Sequence, residues 1–396
     1  MPAPVLLDLT HTSHTRARTG IQRVTRSLHA ALGQGAVAVT HDPHRRAWRL
    51  LKAWENENLA VDAASGRRGA HWPLAAKLRG HAQRLLRRLP AVSAQVSAIN
   101  ASGLIVPEVF APVVAAALPA LLAATRGPRV ALFHDAIALK FPELTPTKTV
   151  ARFPAYLREL LAFDGIAAVS EDSRATLLDY WRWLGVTTAP PVHALPLGVE
   201  VMGHLMGDTA KAAGASVVLC VGSLEGRKNH VALLGACEQL WARGVHFELQ
   251  LIGLAQAQTG RAAVERVRTL QAAGRPLRYD GPAEDTTLAA AYAGCAFTVY
   301  PSLIEGFGLP VIESLAHGKP CVCSALGAIG ESARGGGCVA LESVDEASLA
   351  AALGRLLAAP GEVATLAAAA RARKFRTWQD YAGELTGWMG GLPRRG

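Results

Sequence analysis

Two glutamates flank a glycine-rich turn in residues 300–320, Y-P-S-L-I-E-G-F-G-L-P-V-I-E-S-L-A-H-G-K-P. The apolar run before the turn suits a buried strand, and Pro310 suits the first turn of a helix. Backbone N–H groups at such a helix start attract phosphate, and Glu305 and Glu313 can accept hydrogen bonds from hydroxyl groups. The pattern favours a ligand with both phosphates and hydroxyls, as in a nucleotide sugar. The alternative is a capped helix with solvated glutamates.

A second candidate site follows the apolar run at residues 217–221, in the sequence G-S-L-E-G-R-K-N-H at residues 222–230. Arg227 and Lys228 stand where a helix is predicted to begin, although cations oppose the helix dipole there. A bound diphosphate would offset that repulsion, so both side chains are candidate phosphate ligands. The spacing is not that of a P-loop, and an ordinary polar turn is the structural alternative.

Two further candidates lie earlier in the chain. His134 and Asp135 end a predicted strand at residues 130–133. A lone histidine is more often structural, but the carboxyl ends of parallel strands are where α/β domains bind ligands. A predicted strand at residues 5–10 precedes a polar loop and a helix that opens at Gly20, with Arg23 nearby. That helix start can also receive phosphate, a feature that every strand-to-helix unit shares.

These motifs together resemble the retaining glycosyltransferases of family 4, which have the GT-B fold. The resemblance rests on the two glutamates around G-F-G-L-P, on residues 222–230, on H-D-x-I at residues 134–137 and on V-S-E-D-S-R at residues 169–174. It implies catalytic roles for His134, beside the donor sugar, and for Glu305, facing the transferred sugar. It also implies a donor-binding set: Gly20, Gly222, Arg227, Lys228, Gly306, Phe307, Gly308, Leu309 and Glu313, the last on the ribose of the nucleotide.

One position departs from the family pattern. Ser223 directly follows Gly222, where the family often has an arginine that contacts phosphate. Either Arg227 takes over this contact, or the diphosphate is held less firmly. The chain also contains no D-x-D sequence, the paired carboxylates on which metal-bridged diphosphate enzymes depend. We therefore expect neither metal nor cofactor, with cations and helix termini neutralising the leaving diphosphate.

Two series of apolar strand-like runs alternate with helical segments, one on each side of residue 200. The alternation predicts the α/β class, and the resemblance implies the GT-B fold, two Rossmann-like domains facing each other across a deep cleft. Residues 1–199 are expected to form the acceptor-side domain and residues 200–375 the donor-side domain, with a linker at residues 198–215. A C-terminal helix in residues 376–396 is expected to pack back on the first domain.

The composition suits a folded protein. The chain has 396 residues, enough for two domains, and half of them are hydrophobic while 18% are charged, which excludes disorder as the main state. No signal peptide and no apolar run of membrane-spanning length is recognised, and the six cysteines suit small core residues in a reducing compartment. We expect a cytoplasmic protein, with peripheral attachment to the inner face of the cell membrane as a further expectation.

The formal net charge of +10 is concentrated at one end of the chain. Residues 1–100 hold 15 Lys and Arg against 5 Asp and Glu, which accounts for the whole excess. Within residues 67–90, cations alternate with leucines and Trp72, and no acid interrupts them. Two interpretations stay open: an amphipathic helix on an anionic membrane, and a basic helix packed on the first domain. Nucleic acid is not expected, because no recognition motif accompanies the charge.

The function that the resemblance implies is transfer of a hexose from a GDP-, UDP- or dTDP-linked sugar to a glycan or lipid-linked acceptor in cell-surface polysaccharide or lipopolysaccharide assembly. Mannose from GDP-mannose is favoured, because H-D-x-I and G-S-L-E-x-R-K-N are most similar to mannosyl- and deoxyhexosyl-transferring members. Two alternatives stay open. One is a transferase of the sucrose- or trehalose-synthase type with a soluble acceptor, and the other is a non-catalytic nucleotide-sugar binding module.

Overall fold

A computed structural model of the chain describes residues 3–16, 20–60, 70–86, 90–200 and 216–394. Within these residues the chain forms two compact units. Unit 1 comprises Met1–His134, Arg152–Gly198 and Trp378–Gly396, and unit 2 comprises Asp135–Ala151 and Val199–Thr377. Each unit is organised around its own β-sheet. The predicted linker lies mostly outside the described residues.

The described residues form thirteen strands, and each strand predicted from the sequence has a counterpart among them. They are β1 (Val5–Asp8), β2 (Ala36–Asp42), β3 (Ala47–Leu50), β4 (Gly103–Val106), β5 (Arg129–Phe133), β6 (Gly165–Ala168), β7 (Val192–Ala194), β8 (Ser216–Val221), β9 (Phe247–Ile252), β10 (Leu277–Tyr279), β11 (Phe297–Tyr300), β12 (Cys321–Ser324) and β13 (Cys338–Leu341).

Seventeen α-helices within the same residues connect and cover these strands. They are α1 (Gly20–Leu32), α2 (Ala53–Ala60), α3 (Leu74–Leu86), α4 (Ala94–Ser97), α5 (Pro112–Ala115), α6 (Leu118–Ala124), α7 (Ile137–Lys140), α8 (Thr147–Glu159), α9 (Glu171–Trp183), α10 (His230–Ala242), α11 (Arg261–Ala272), α12 (Asp285–Gly294), α13 (Leu309–Ala316), α14 (Gly327–Ala333), α15 (Glu346–Ala358), α16 (Pro360–Ala372) and α17 (Trp378–Gly390).

The described strands of unit 1 form a seven-stranded sheet in the order β3-β2-β1-β4-β5-β6-β7. All neighbours are parallel except β3, which pairs antiparallel with β2 at the edge. Strands β4, β5 and β6 are buried along their whole length, as expected of parallel strands covered on both faces. Helix α17 packs against α1, so the described C-terminal segment belongs to this unit.

Strands β2 and β3 were not predicted, and their polar residues explain why. Arg49 in β3 is only 3% exposed, although a lone arginine is a poor candidate for a core position. Its Nε lies 2.9 Å from Asp42 and its Nη1 lies 2.7 Å from Glu55. These two carboxylates come from β2 and α2, so the pairing that allows Arg49 to be buried exists only in the folded unit.

The described strands of unit 2 form a six-stranded parallel sheet in the order β10-β9-β8-β11-β12-β13. Its main core packs α10, α11 and α15 on one face, and it includes Leu233, Leu251 and Val299. Eight residues of α10 are buried, because this helix is apolar on most of its surface. The six cysteines are all free, and five of them are buried, as the sequence predicted for small core residues.

In both sheets the strand order reverses once. The reversal lies between β1 and β4 in unit 1 and between β8 and β11 in unit 2. In open parallel sheets, ligands usually bind beyond the carboxyl ends of the two strands that flank such a switch point. The loops after β1, β4, β8 and β11 are therefore the candidate ligand-binding loops.

The basic segment at residues 67–90 contains one described helix, α3. Arg67, Arg68, Arg87 and Arg88 lie outside the described residues. No single described helix has both the length and the apolar composition needed to cross a bilayer; α15 and α16 meet these criteria only as a pair, with a bend of 98° between them.

Candidate functional site

The loops after β8 and β11 meet at the switch point of unit 2, where they bring two predicted cations and a predicted glutamate together. Arg227 Nη1 lies 2.5 Å from Glu305 Oε2, and Lys228 Nζ lies 2.7 Å from Glu305 Oε1. Each carboxylate oxygen of Glu305 therefore has its own cation. The backbone N–H of Leu303 also donates to the Arg227 carbonyl at 2.9 Å, which ties the two loops together.

Mutual pairing sets the charges of this cluster. Burial alone would raise the pKa of Glu305, but the charges of Arg227 and Lys228 outweigh burial and lower that pKa to about 2. Burial lowers the pKa of Lys228, and Glu305 opposes that change. For Arg227, burial is outweighed by Glu305 and Glu225, which raise its pKa. Glu305 is therefore ionised at neutral pH and balances its neighbours.

Glu225 supplies a second carboxylate, 2.8 Å from Arg227 Nη2, and it accepts a hydrogen bond from the Ser223 hydroxyl at 2.9 Å. From the sequence, the two cations were expected at the start of a helix, where only a diphosphate would offset the helix dipole. In the structure they lie in a short 3-10 turn, Gly226–Lys228, that precedes α10. Carboxylates of the protein itself already offset much of their charge.

Tyr300, the last residue of β11, completes the surroundings of Lys228. Its hydroxyl accepts a hydrogen bond from Lys228 Nζ, and this amine lies 4.7 Å from the centre of the tyrosine ring. Gly222 follows β8 on the same side, because a Cβ there would lie 3.8 Å from the Tyr300 ring and 3.9 Å from Lys228 Cδ. The three predicted phosphate-binding residues thus lie close together, and the Lys228 amine is held in place. They are Gly222, Arg227 and Lys228.

The glycine turn at residues 306–308 leads into α13, which begins at Leu309. Gly308 has a φ of 111°, in the left-handed region that favours glycine. A Cβ at Gly308 would lie 3.1 Å from Ser332 Oγ, and that hydroxyl donates to the carbonyl of Phe307 at 2.7 Å. Ser332 of α14 therefore holds the turn in place, and the turn fixes where α13 begins.

Glu313 lies about one turn into α13 and is 8% exposed. The Tyr292 hydroxyl donates to Glu313 Oε2 at 3.4 Å, and the His317 ring stacks on Tyr292 with centroids 4.6 Å apart. Burial lowers the pKa of His317, and the charge of Glu313 opposes that change. These contacts place Glu313 beside α12, whereas Glu305 lies beside the loop after β8.

The switch point of unit 1 holds two buried carboxyl groups, Asp8 and Glu108. Glu108 accepts hydrogen bonds from the backbone N–H groups of His11 and Thr12, each at 2.8 Å, and from the Thr12 hydroxyl. Asp8 accepts the N–H and hydroxyl of Thr10, at 2.9 and 2.5 Å. Burial raises the pKa of each carboxyl group to about 7, and for Asp8 the charge of Glu108 adds to burial.

His134 follows β5 beside these loops and is 6% exposed. Its Nε2 lies 2.7 Å from the Pro107 carbonyl, so Nε2 carries a hydrogen and donates it. The His134 carbonyl accepts a hydrogen bond from the Ser173 hydroxyl at 3.0 Å. The Ser170 hydroxyl accepts a hydrogen bond from the Ser173 N–H at 3.1 Å, which makes Ser170 the N-cap of α9. One contact therefore holds the histidine ring and the other holds its backbone.

Gly20 is the first residue of α1. Chain neighbours aside, a Cβ at this position would meet no atom of the described residues within 4 Å, so these residues give no steric reason for glycine there. Gly20 and His134 belong to unit 1, whereas Glu305 and the other donor-binding residues belong to unit 2. The roles that the resemblance assigns to all of them stay predictions.

Four side chains at the switch points were not predicted as site residues: Asp8, Glu108, Glu225 and Tyr300. Each stands at, or a few residues beyond, the carboxyl end of a strand that flanks a reversal. That signal becomes usable only when the strand order is known. In the described ranges, no group of three or more His, Cys, Asp or Glu side chains is arranged to hold a metal ion.

Residues 215–359 match the family model described as "Glycosyl transferases group 1". The matched segment contains both loops of the switch point of unit 2. The cluster of Arg227, Lys228 and Glu305 therefore lies within the matched region.

Solved structures similar to this chain extend over nearly its whole length. Sucrose-phosphate synthase from Thermosynechococcus elongatus is 18% identical with a TM-score of 0.66, covering 98% of each chain. The Anabaena protein HepE, solved in complex with UDP and glucose, is 15% identical with a TM-score of 0.68, covering 98% of this chain and 100% of that one. The chain has the GT-B fold. Units 1 and 2 are its two parallel-sheet domains, so the GT-B fold predicted from the motifs is confirmed.

One relative whose name states an activity is matched over a smaller share of its own length. The serotype-specific mannosyltransferase WbdA of Escherichia coli is 26% identical over 341 residues, which cover 80% of this chain and 38% of that protein. This chain therefore spans less than half the length of that relative. This chain thus has the GT-B fold, and its residues 215–359 match the group 1 family model.

Proposed function

We propose that this chain is a retaining, metal-independent glycosyltransferase of family 4 that moves a hexose from a nucleotide sugar to a glycan or lipid-linked acceptor. The favoured donor is GDP-mannose, and the favoured process is assembly of a cell-surface polysaccharide or lipopolysaccharide. The observation that carries the proposal is the cluster of Arg227, Lys228 and Glu305 at the switch point of the group 1 segment.

The cluster suits a leaving diphosphate. As the bond between the anomeric carbon and the diphosphate oxygen breaks, negative charge collects on the diphosphate. The acceptor oxygen forms the new glycosidic bond, and its proton passes to the departing diphosphate. Arg227 and Lys228 would stabilise that charge strongly, because they are largely withdrawn from water and already fixed by Glu305 and Tyr300. The N–H groups at the start of α13 would add a second set of donors for the diphosphate.

The other residues take the roles that the resemblance implies. Glu313 accepts hydrogen bonds from the ribose, and His134 lies beside the donor sugar and the reacting carbon. Glu305 is the counter-ion of the two cations before the donor binds, and afterwards it accepts hydrogen bonds from hydroxyl groups of the transferred sugar. Gly222 and the turn at residues 306–308 let the diphosphate approach the backbone closely.

Two observations bear on the donor. The name of WbdA supports a mannosyl donor, as do the motifs H-D-x-I and G-S-L-E-x-R-K-N in this chain. HepE was solved with UDP and glucose, but at 15% identity that likeness supports the fold alone. GDP is therefore the favoured nucleotide, and UDP is the competitor that an experiment must include.

The first test is a thermal-shift screen with GDP, UDP, dTDP and ADP and their common sugar conjugates, with EDTA present throughout. A ligand that binds only the folded chain adds about 2.7 kcal/mol of stability at a hundredfold excess over its dissociation constant. We expect GDP and GDP-mannose to raise the melting temperature. A shift with UDP alone would overturn the GDP assignment, and no shift with any nucleotide would count against the whole proposal.

Turnover separates an enzyme from a binding module. We expect GDP release from GDP-mannose to require a glycan or lipid-linked acceptor and to persist in EDTA. Glu313→Ala should weaken GDP binding, whereas His134→Ala should lower kcat more than affinity. Tight donor binding with no turnover toward any acceptor would favour the non-catalytic alternative.

A further inference from the structure

Helix α3 of unit 1 exposes a strip of leucines. Leu74, Leu78 and Leu85 are 71, 61 and 86% exposed. Since successive residues of an α-helix are about 100° apart, these three side chains fall within about 40° of one another. A single exposed leucine is ordinary, but three aligned on one helix form a continuous apolar face.

The opposite face attaches α3 to unit 1. Gly80 is buried, and a Cβ there would lie 2.8 Å from the Cβ of His44. Ala76 and Gln83 are half-buried on the same side, roughly 180° from the leucines. His81, about 20° from Leu74 around the helix, contacts the same histidine at the border of the strip, with Nε2 3.3 Å from His44 Nδ1. Gly80, Ala76 and Gln83 therefore face the unit, and the leucines, which remain 61 to 86% exposed, point away from it.

Cations line both edges of the strip. Lys77 and Arg84 lie on one side and Arg79 lies on the other, and all three are exposed. The sequence of α3, L-A-A-K-L-R-G-H-A-Q-R-L-L, contains no acidic residue. A helix with an outward apolar strip and cations on both edges is suited to lie in the interface of an anionic bilayer. The long basic side chains reach the lipid phosphates while the leucines enter the acyl boundary.

We propose that α3 docks unit 1 onto an anionic lipid bilayer. A second copy of this chain is a poorer partner, because two such faces would bring rows of like charges together. Nucleic acid would use the cations and leave the leucine strip exposed to water. The bilayer is the partner that satisfies both the charge and the apolar strip, and the inference does not depend on the transferase proposal.

The test is co-sedimentation of the full chain with vesicles. Vesicles of phosphatidylcholine are compared with vesicles that also contain about one-third phosphatidylglycerol, at low and high NaCl. We expect binding to the anionic vesicles at low salt, weaker binding at high salt and little binding to phosphatidylcholine alone. Absence of binding to the anionic vesicles would overturn the proposal.

Two double variants test the leucine strip and the cations at its edges separately. Leu78→Gln with Leu85→Gln should weaken vesicle binding on the order of tenfold or more. Lys77→Gln with Arg84→Gln should weaken it by about fivefold for each cation removed and should reduce its dependence on salt. Trp183→Gln is the matched control, since Trp183 on α9 is 79% exposed and lies outside α3, and it should leave binding unchanged.

Several outcomes would overturn the inference. If the leucine variant binds vesicles as the unaltered chain does, the strip is not the membrane contact. If the unaltered chain is a dimer in solution and the leucine variant is a monomer, a second copy covers the strip. A single-stranded oligonucleotide gives the third outcome. If it binds both the unaltered chain and the leucine variant at physiological salt, and vesicles displace it from neither protein, nucleic acid is the partner. Melting curves of all variants should match, because the altered side chains are exposed.

Discussion

In unit 2 the carboxylate of Glu305 lies 2.5 Å from Arg227 and 2.7 Å from Lys228, whereas in unit 1 the carboxyl group of Glu108 accepts backbone N–H groups of His11 and Thr12. Both glutamates stand at switch points and both are largely buried. The pKa of Glu305 is lowered to about 2, and that of Glu108 is raised to about 7. Burial acts in the same direction on both, so the two cations account for the opposite outcomes.

The difference has consequences for stability. Glu305 contributes stability that is present above its ordinary pKa of 4.5 and is lost as the pH falls to about 2. Asp8 and Glu108 behave in the opposite way: their contribution is fully present at low pH and is lost as the pH rises to about 7. At neutral pH the switch point of unit 2 therefore carries fixed charges of both signs, whereas that of unit 1 holds carboxyl groups that exchange protons.

The largest effect is expected from Glu305→Gln, which removes the central charge of the unit 2 cluster and keeps the shape of the side chain. We expect turnover to fall about a thousandfold, because a group that acts on the reacting sugar is lost. Affinity for GDP should rise, because Arg227 and Lys228 lose their counter-ion. Steady-state kinetics and calorimetry measure the two quantities separately. A parallel fall in turnover and GDP affinity would contradict this account.

Lys228→Ala tests the other half of the same ion pair. We expect kcat/KM to fall about a hundredfold and GDP to bind more weakly, because a buried cation and its hydrogen bonds are removed. Lys319→Ala is the matched control: Lys319 Nζ donates to the carbonyls of Ala293 and Cys295, at 2.9 and 2.8 Å, near the amino end of β11. Equal losses in the two variants would mean that general positive charge, and not the cluster, matters.

Asp8→Asn sharpens the comparison from the side of unit 1. The amide keeps an oxygen that can accept from Thr10 but cannot ionise. We expect the free energy of unfolding to fall less between pH 4 and pH 7 than in the unaltered chain, by up to about 1.4 kcal/mol per pH unit. Urea unfolding at several pH values measures this slope. An unchanged slope would mean that Asp8 titrates near its ordinary value.

The smallest effect is expected from Tyr300→Phe, which removes the hydroxyl that accepts from Lys228 and keeps the ring beneath the amine. We expect KM for the donor to rise about fivefold with kcat little changed, because one hydrogen bond that positions the amine is lost. Initial-rate kinetics over a range of donor concentrations give both constants. A large fall in kcat with KM unchanged would assign Tyr300 a direct part in the reaction.

Local sequence was sufficient for much of the fold. Apolar runs ended by glycine or proline predicted the buried strands, and the turn at residues 306–308 followed from the position of Pro310 and the stripe of Val311 and Ile312. These patterns are readable because burial on both faces demands continuous apolar side chains. Strand β3 was not predicted from the sequence, because Arg49 is buried only through partners contributed by β2 and α2.

The sequence by itself determined the α/β class, the position of Arg227 and Lys228 after one strand, and the position of Glu305 after another. Only the tertiary structure decided that β8 and β11 are neighbours, which places Glu305 between the two cations. It also decided that no cation among the described residues lowers the pKa of Asp8 in the same way. Charge state depends on atoms within a few ångströms, and those atoms come from distant parts of the chain. For the same reason, the outward direction of the leucines on α3 is set by tertiary packing, with Gly80 against His44 and the leucines exposed.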